Sequence, residues 1–130
     1  MKSFNEFIGE SKIETILIEG LEIWPDELGK MTVSRSVSAL NQLGPGWRLP
    51  TIEEFKEILY PHREKLSVSI SDGVNEDYYW SSSERDEYQN WCFGFDRGWG
   101  NYFSDCNTFR ILAVRDVTAE KAIDSLFGDL

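Results

Sequence analysis

Eight residues, Gly44-Pro45-Gly46-Trp47-Arg48-Leu49-Pro50-Thr51, constrain this chain more than any other stretch. Pro45-Gly46 forces a turn, because proline fixes its own φ near about −65° and glycine accepts the positive φ that other residues avoid. Trp47 and Leu49 then alternate with Arg48 as in a brief extended segment. Pro50 leads into Thr51, which forms a Thr-x-x-Glu capping box with Glu54 and so predicts a helix start. Glu53 and Glu54 fall in the first turn, where the helix dipole favours anions. Ile52, Phe55, Ile58 and Leu59 line one face of that helix, and Pro61 is expected to end it. Arg48, set between a large aromatic and a capped helix, reads as a structural cation paired with a carboxylate or with backbone carbonyls.

On either side the patterning predicts an α+β chain. Ile13 to Glu19 reads as a strand, and Gly20 allows a turn before a second extended piece, Leu21 to Trp24. From Met31, Val33, Val37 and Leu40 recur at helical spacing until Gly44. The two helices, joined by the Trp-bearing turn, are expected to pack on one sheet face. From Tyr78 the chain turns to strands. Tyr78-Tyr79-Trp80-Ser81-Ser82-Ser83 combines aromatic and small residues, and Ser81 to Ser83 can satisfy backbone groups where a strand leaves the sheet. Trp47 and Trp80 would each stabilise the fold by about 2–3 kcal/mol if buried. Trp91, Phe93 and Phe95 share one face, and Asp96 to Asn101 is the expected hairpin turn. Ile111-Leu112-Ala113-Val114 is apolar without alternation, as suits a central strand covered on both faces. Thr118 would cap a last helix bearing Ala119, Ala122, Ile123, Leu126 and Phe127 on one face.

Charge and composition exclude several functions. A net charge of −10 over 130 residues repels phosphate backbones, so nucleic-acid binding through a broad basic face is not expected, and anionic membranes are disfavoured for the same reason. No apolar run is long enough to span a bilayer, and Met1 to Lys12 lacks the uninterrupted apolar region of a secretory signal. Cys92 and Cys106 would tie adjacent strands together as a disulfide or stand as free thiols. Two cysteines supply too few ligands for a zinc site, and no oxygen cluster suits calcium. His62, the only histidine, lies among Arg63, Glu64 and Lys65 with no nucleophile or ligand set beside it in sequence. No cofactor, metal or catalytic residue is therefore assigned. The late loops, Glu84 to Gln89 and Arg97 to Asn107, are where ligand contact is expected. Arg97, Trp99, Asn101, Tyr102, Asp105 and Asn107 combine rigid aromatics with hydrogen-bonding groups there, although the same composition would serve a polar hairpin covering its own core.

Met1 to Lys12 reads as a short amphipathic helix, with Ser3 and Glu6 as a capping box and Phe4, Phe7 and Ile8 on one face. On physics alone it would dock loosely on the domain. Met-Lys-Ser-Phe-Asn-Glu-Phe-Ile-Gly-Glu also resembles the capsid-targeting leaders of internal head proteins in T4-like phages. That resemblance implies a cleavable leader over 1–10, cut between Glu10 and Ser11, ahead of one domain over 11–130. Leu17-Ile18-Glu19 and Ile52-Glu53-Glu54 match the cleavage tripeptide too, in segments expected to be folded.

A second resemblance covers roughly Leu21 to Val117. The helix, Gly-Trp-Arg-Leu-Pro-Thr, the acidic helix, Tyr-Trp-Ser-Ser-Ser, Trp-x-Phe-x-Phe and Arg-x-x-x-Val-Arg occur in the order found in the domain family of the Legionella collagen-like protein C-terminal domain and the Fibrobacter major paralogous domains. It implies a C-type-lectin-like fold, with two helices on a small, mostly antiparallel twisted sheet and short terminal helices. In that setting Trp47, Arg48, Pro50, Thr51, Trp80 and Ser81 specify the fold, and the late loops bind a protein or glycan without catalysis. Together the resemblances imply a phage virion protein, resident in the head interior or in the host cytoplasm, with a host or phage partner. Inhibition of a host defence nuclease is an alternative. A redox enzyme akin to formylglycine-generating enzymes is another, and would need Cys92 and Cys106 to act together. The Glu-Pro-Asn, Gln-Pro-Asp and Trp-Asn-Asp signatures of calcium-dependent sugar-binding lectins do not occur.

Overall fold

A buried aromatic ladder divides the molecule. Tyr78, Tyr79 and Trp80 are consecutive and all buried, which a strand permits only when both of its faces are covered. The computed structural model describes residues 14–68 and 78–117. The expected N-terminal leader helix and the helix after Thr118 lie outside these residues. In chain order the described elements are β1 (Ile16–Ile18), β2 (Leu21–Ile23), β3 (Lys30–Met31), α1 (Val33–Asn41), α2 (Ile52–Glu54), β4 (Tyr78–Glu84), β5 (Gln89–Gly94), β6 (Trp99–Ser104), β7 (Phe109–Arg110) and β8 (Val114–Asp116). They form the expected α+β architecture. A three-stranded sheet runs β1-β2-β8 and a five-stranded sheet runs β3-β7-β4-β5-β6, with every pairing antiparallel except β4 with β7.

Alternation along β4 sends Tyr79 to one core and Tyr78 and Trp80 to another. The first core holds Phe55, Leu59, Phe93 and Phe95 with Ile18, Leu21 and Ile23 of the small sheet. Phe55 stacks on Phe93 at 5.3 Å between centroids, and Phe95 packs edge-on to Tyr79 at 5.4 Å. The second core gathers Leu40, Trp47, Leu49, Cys92 and Ile111 around Trp80. Leu40 of α1 belongs to the second core and Ile52 of α2 to the first, so the two helices lie on opposite faces of the larger sheet, not on one. The chain crosses from one face to the other between Leu49 and Ile52.

Three local expectations change. Val37 is 56 % exposed, because Ser36 takes the inward place on α1 and satisfies its hydroxyl by donating to the Val33 carbonyl at 2.6 Å. Pro61 does not end the second helix. After α2 a π-helical turn (Phe55–Leu59) passes into a 3-10 segment (Tyr60–Lys65), and Pro61 stands in its first turn, where no amide donor is needed. His62 is half-buried there, with Nδ1 2.9 Å from the Ile58 carbonyl. The Ile111–Val114 run is buried throughout but is not one strand. It passes between the sheets, giving Ile111 and Ala113 to the second core and Leu112 and Val114 to the first. Its backbone groups pair with irregular chain, Ile111 donating to the Gly29 carbonyl and accepting from Leu28. Burial on both sides looks alike in sequence for a central strand and for such a passage.

The hairpin turn over Phe95–Gly98 is close to the expected one. Gly98 holds φ +75°, and a Cβ there would lie 2.4 Å from the Tyr60 ring, so glycine is required on both counts. Trp80, fully buried, donates Nε1–H to the Met31 carbonyl at 3.0 Å. Trp80→Ala should cost about 3–5 kcal/mol of unfolding free energy, read by urea denaturation, whereas a loss under about 1 kcal/mol would mean that the second core does not depend on it.

Candidate functional site

Trp47 to Thr51 holds the fold through backbone and side chains together. Arg48 exchanges both backbone hydrogen bonds with Val114, at 2.8 and 2.9 Å, so the segment extends the small sheet beside β8. The guanidinium donates to both Glu54 carboxylate oxygens, at 2.8 and 2.9 Å, and to Asp116 Oδ1 at 2.9 Å. Glu54 Oε1 also accepts from the Thr51 amide at 2.9 Å, while the Thr51 hydroxyl accepts from the Glu54 amide at 3.0 Å, closing the capping box. The bond to Glu54 raises the Arg48 guanidinium above its ordinary range, against a burial that lowers it. For Glu54, burial favours the neutral form. The bonds from Arg48 and Thr51 together outweigh it and hold the carboxyl below its ordinary value. Trp47 is buried edge-on to Trp24 at 5.2 Å, with the Arg115 guanidinium 4.5 Å from its ring centroid, and Pro50 is fully buried.

Ser81 sits where β4 departs from β5. The register shifts between Trp80 and Glu84, and the serine hydroxyls fill the gap. Ser81 Oγ donates to the Trp91 carbonyl at 2.7 Å and accepts from the Ser83 amide at 3.0 Å, while Ser83 Oγ accepts from the Ile52 amide at 2.9 Å. The departing strand is thereby fastened to the start of α2.

The late-hairpin residues occupy β6, an edge strand of the larger sheet among the described residues, and the turns at its two ends. Trp99 and Asn101 pair across from Gly94 and Cys92, whereas Tyr102 pairs with Trp91 on the opposite face. Arg97 lies 5.7 Å from the Trp99 ring centroid at the Phe95–Gly98 end. Asp105 and Asn107 lie in the turn at the other end, where the Asp105 amide donates to the Tyr88 carbonyl and the Asn107 amide to the Ser104 carbonyl. The six residues therefore line an edge rather than one patch, with Arg97 and Trp99 apart from Asp105 and Asn107. Tyr88 and Arg85 join Tyr102: the Arg85 guanidinium stands 3.9 Å over its ring, and Tyr88 is 72 % exposed. The sequence singles out the Glu84–Gln89 loop as an expected contact region, but nothing in it ties Arg85 to a tyrosine seventeen positions on. Asn101 Oδ1 accepts from the Tyr102 amide at 2.8 Å, capping one edge donor.

A family model described as the Lcl C-terminal domain matches residues 24–115. The chain belongs to that family. No curated protein matches it significantly. The matched span runs from Trp24 to Arg115 and takes in α1, the Trp47–Thr51 segment and the whole of the larger sheet. Membership in the Lcl C-terminal domain family points to a lectin-like binding domain and no further. In this family member Cys92 and Cys106 form no disulfide with one another: Cys92 is buried in the second core and Cys106 is exposed in the turn after β6. Among the described residues no group of three or more His, Cys, Asp and Glu is placed to hold a metal ion, and no helix is long and apolar enough to cross a membrane.

Because the folded Glu54 carboxyl lies below the ordinary glutamate value of 4.5, its contribution is fully present above about that pH. It is lost as the pH falls through the lowered folded value. Glu54→Gln should cost about 1–2 kcal/mol at pH 7 and flatten the acid limb of the stability curve below pH 4.5 in urea titrations. An unchanged acid limb would remove Glu54 from this role.

Proposed function

We propose that the chain is a non-catalytic binding module that engages a protein or an uncharged glycan along the β6 edge. The observation that carries this reading is the exposure of three aromatics there: Tyr88 at 72 %, Trp99 at 54 % and Tyr102 at 36 %. Two of them carry an arginine over the ring, which stiffens the ring and leaves donors at its rim. Rigid aromatics flanked by arginine and asparagine suit recognition, because they bury area at low entropic cost. The net charge of −10 disfavours an anionic polymer as the partner. A partner reaching Trp99 on one face and Tyr102 on the other has to straddle the edge, as an added strand or an extended loop does.

Trp99→Ala and Tyr102→Ala should each shift unfolding free energy by no more than about 0.5 kcal/mol. Both should abolish capture of a partner by the Ser11–Leu130 form, read by pull-down from host lysate and by glycan array. A stability loss above about 2 kcal/mol for both would make them core residues and overturn the reading.

A second reading concerns destination. The decapeptide ending Ile8-Gly9-Glu10 supports packaging of the chain as an internal head protein of a phage, cut between Glu10 and Ser11. Mass spectrometry of the protein from purified virions should then find Ser11 as the first residue, and an intact Met1 would sink this reading. An inhibitor of a host nuclease is compatible with that destination. A redox enzyme is disfavoured because Cys92 is buried in the second core, paired across from Asn101, while Cys106 is exposed in the turn after β6.

A further inference from the structure

Away from the β6 edge, a cleft of about 320 Å³ opens between α1, the Trp47–Leu49 segment and the bulged end of β4. That is at the small end of ligand sites, of a size for one side chain. One wall is apolar: Val37, Leu40, Trp47 and Leu49 line it, and Val37 is the exposed valine that α1 leaves unpacked. The facing wall is polar, with Glu84 and Asn90. Two charged side chains, Glu84 and Arg48, reach the cleft. Arg48 is held by Glu54 and Asp116 and has no claim on an anion. Glu84 is exposed, and its carboxylate makes no ion pair among the described residues. Asn90 is 4 % exposed, and its amide nitrogen donates to the Ser81 carbonyl at 2.7 Å, which leaves its carbonyl oxygen as the group that can meet a donor. The cleft thus sets an apolar trough beside oxygen acceptors, one of them charged.

We propose that this cleft receives a lysine or arginine side chain from a basic segment of a partner protein. The aliphatic stem lies against Val37, Leu40 and Trp47, and the cationic head meets the Glu84 carboxylate and the Asn90 carbonyl. Long cationic side chains suit such a site because their stems are apolar and only their tips demand polar partners. Charge complementarity selects this occupant over a hydrophobic or acidic one. The chain carries 23 acidic against 13 basic residues, so a basic segment is steered toward it and an acidic one repelled. The proposal does not rest on the β6 edge, since the residues differ and each site can fail alone.

The test titrates an acetylated, amidated Gly-Lys-Gly peptide into the isotope-labelled full chain, with Gly-Glu-Gly and Gly-norleucine-Gly as controls, and follows backbone amide shifts. The lysine peptide should move the amides of Val37, Leu40, Glu84 and Asn90 saturably, and neither control should. Glu84→Gln should weaken that binding about two- to five-fold, with the weakening reduced at high salt. Since Glu84 is exposed, this variant is expected to fold as the parent does. Unmoved cleft amides, equal shifts from the norleucine peptide, or unchanged affinity in Glu84→Gln would each overturn the proposal.

Discussion

One carboxylate, that of Glu54, carries two jobs, and much of the fold hangs on its doing both. It caps the helix start at Thr51 and fastens Arg48, whose backbone is paired with Val114. The helix, the extended Trp47–Leu49 segment and β8 are thereby joined at one point. A two-oxygen, two-nitrogen contact to a carboxylate only 19 % exposed has good geometry and reduced screening. The added bond to Asp116 contributes little by itself, because that side chain is 80 % exposed. Removing the Glu54 side chain would leave a partly buried guanidinium without its main partner and the Thr51 amide without its acceptor, so its cost exceeds that of one surface pair.

That junction fixes where the chain crosses from one face of the larger sheet to the other. Leu49 ends in the second core and Ile52 in the first, with Pro50 buried between them. The Ile111–Val114 passage makes the same division in the opposite direction of the chain, alternating its side chains between the cores. Two short irregular segments therefore separate the cores, and each borrows hydrogen-bond partners from the other or from nearby loops. In this way Arg48 and Pro50 of one segment and Ile111, Ala113 and Val114 of the other make backbone hydrogen bonds outside any strand ladder.

The local parts of this design were readable from the residues. The Thr51–Glu54 box and the turn at Pro45-Gly46 depend on neighbours a few positions away, so the pattern of residue types carries them, and the burial of Trp47 and Trp80 was readable from the residue type alone. The partner of Arg48 was readable as a carboxylate or a backbone carbonyl, but Asp116 lies 68 positions on and only the pairing with β8 brings it near. The opposite placement of the helices was not readable, because two amphipathic stripes say what each helix buries and not which face it finds. At the β6 edge the split was available in principle. Trp99 and Asn101 are odd, Tyr102 is even, and a strand sends them apart.

The arginines give the surface its character by being occupied. Arg48 and Arg115 are held by carboxylates inside the fold, and Arg110 pairs with Glu27. Arg63, Arg85, Arg97 and Arg115 lie over aromatic rings, which holds each guanidinium in one orientation. Cations tied down in this way neutralise particular carboxylates or stiffen particular rings, and contribute less to binding a foreign anion. The acidic excess is therefore expressed at the surface, while the exposed rings at β6 come braced. The net charge of −10 therefore disfavours anionic partners at long range, and the exposed rings of Trp99 and Tyr102 are held in fixed orientations by the arginines over them.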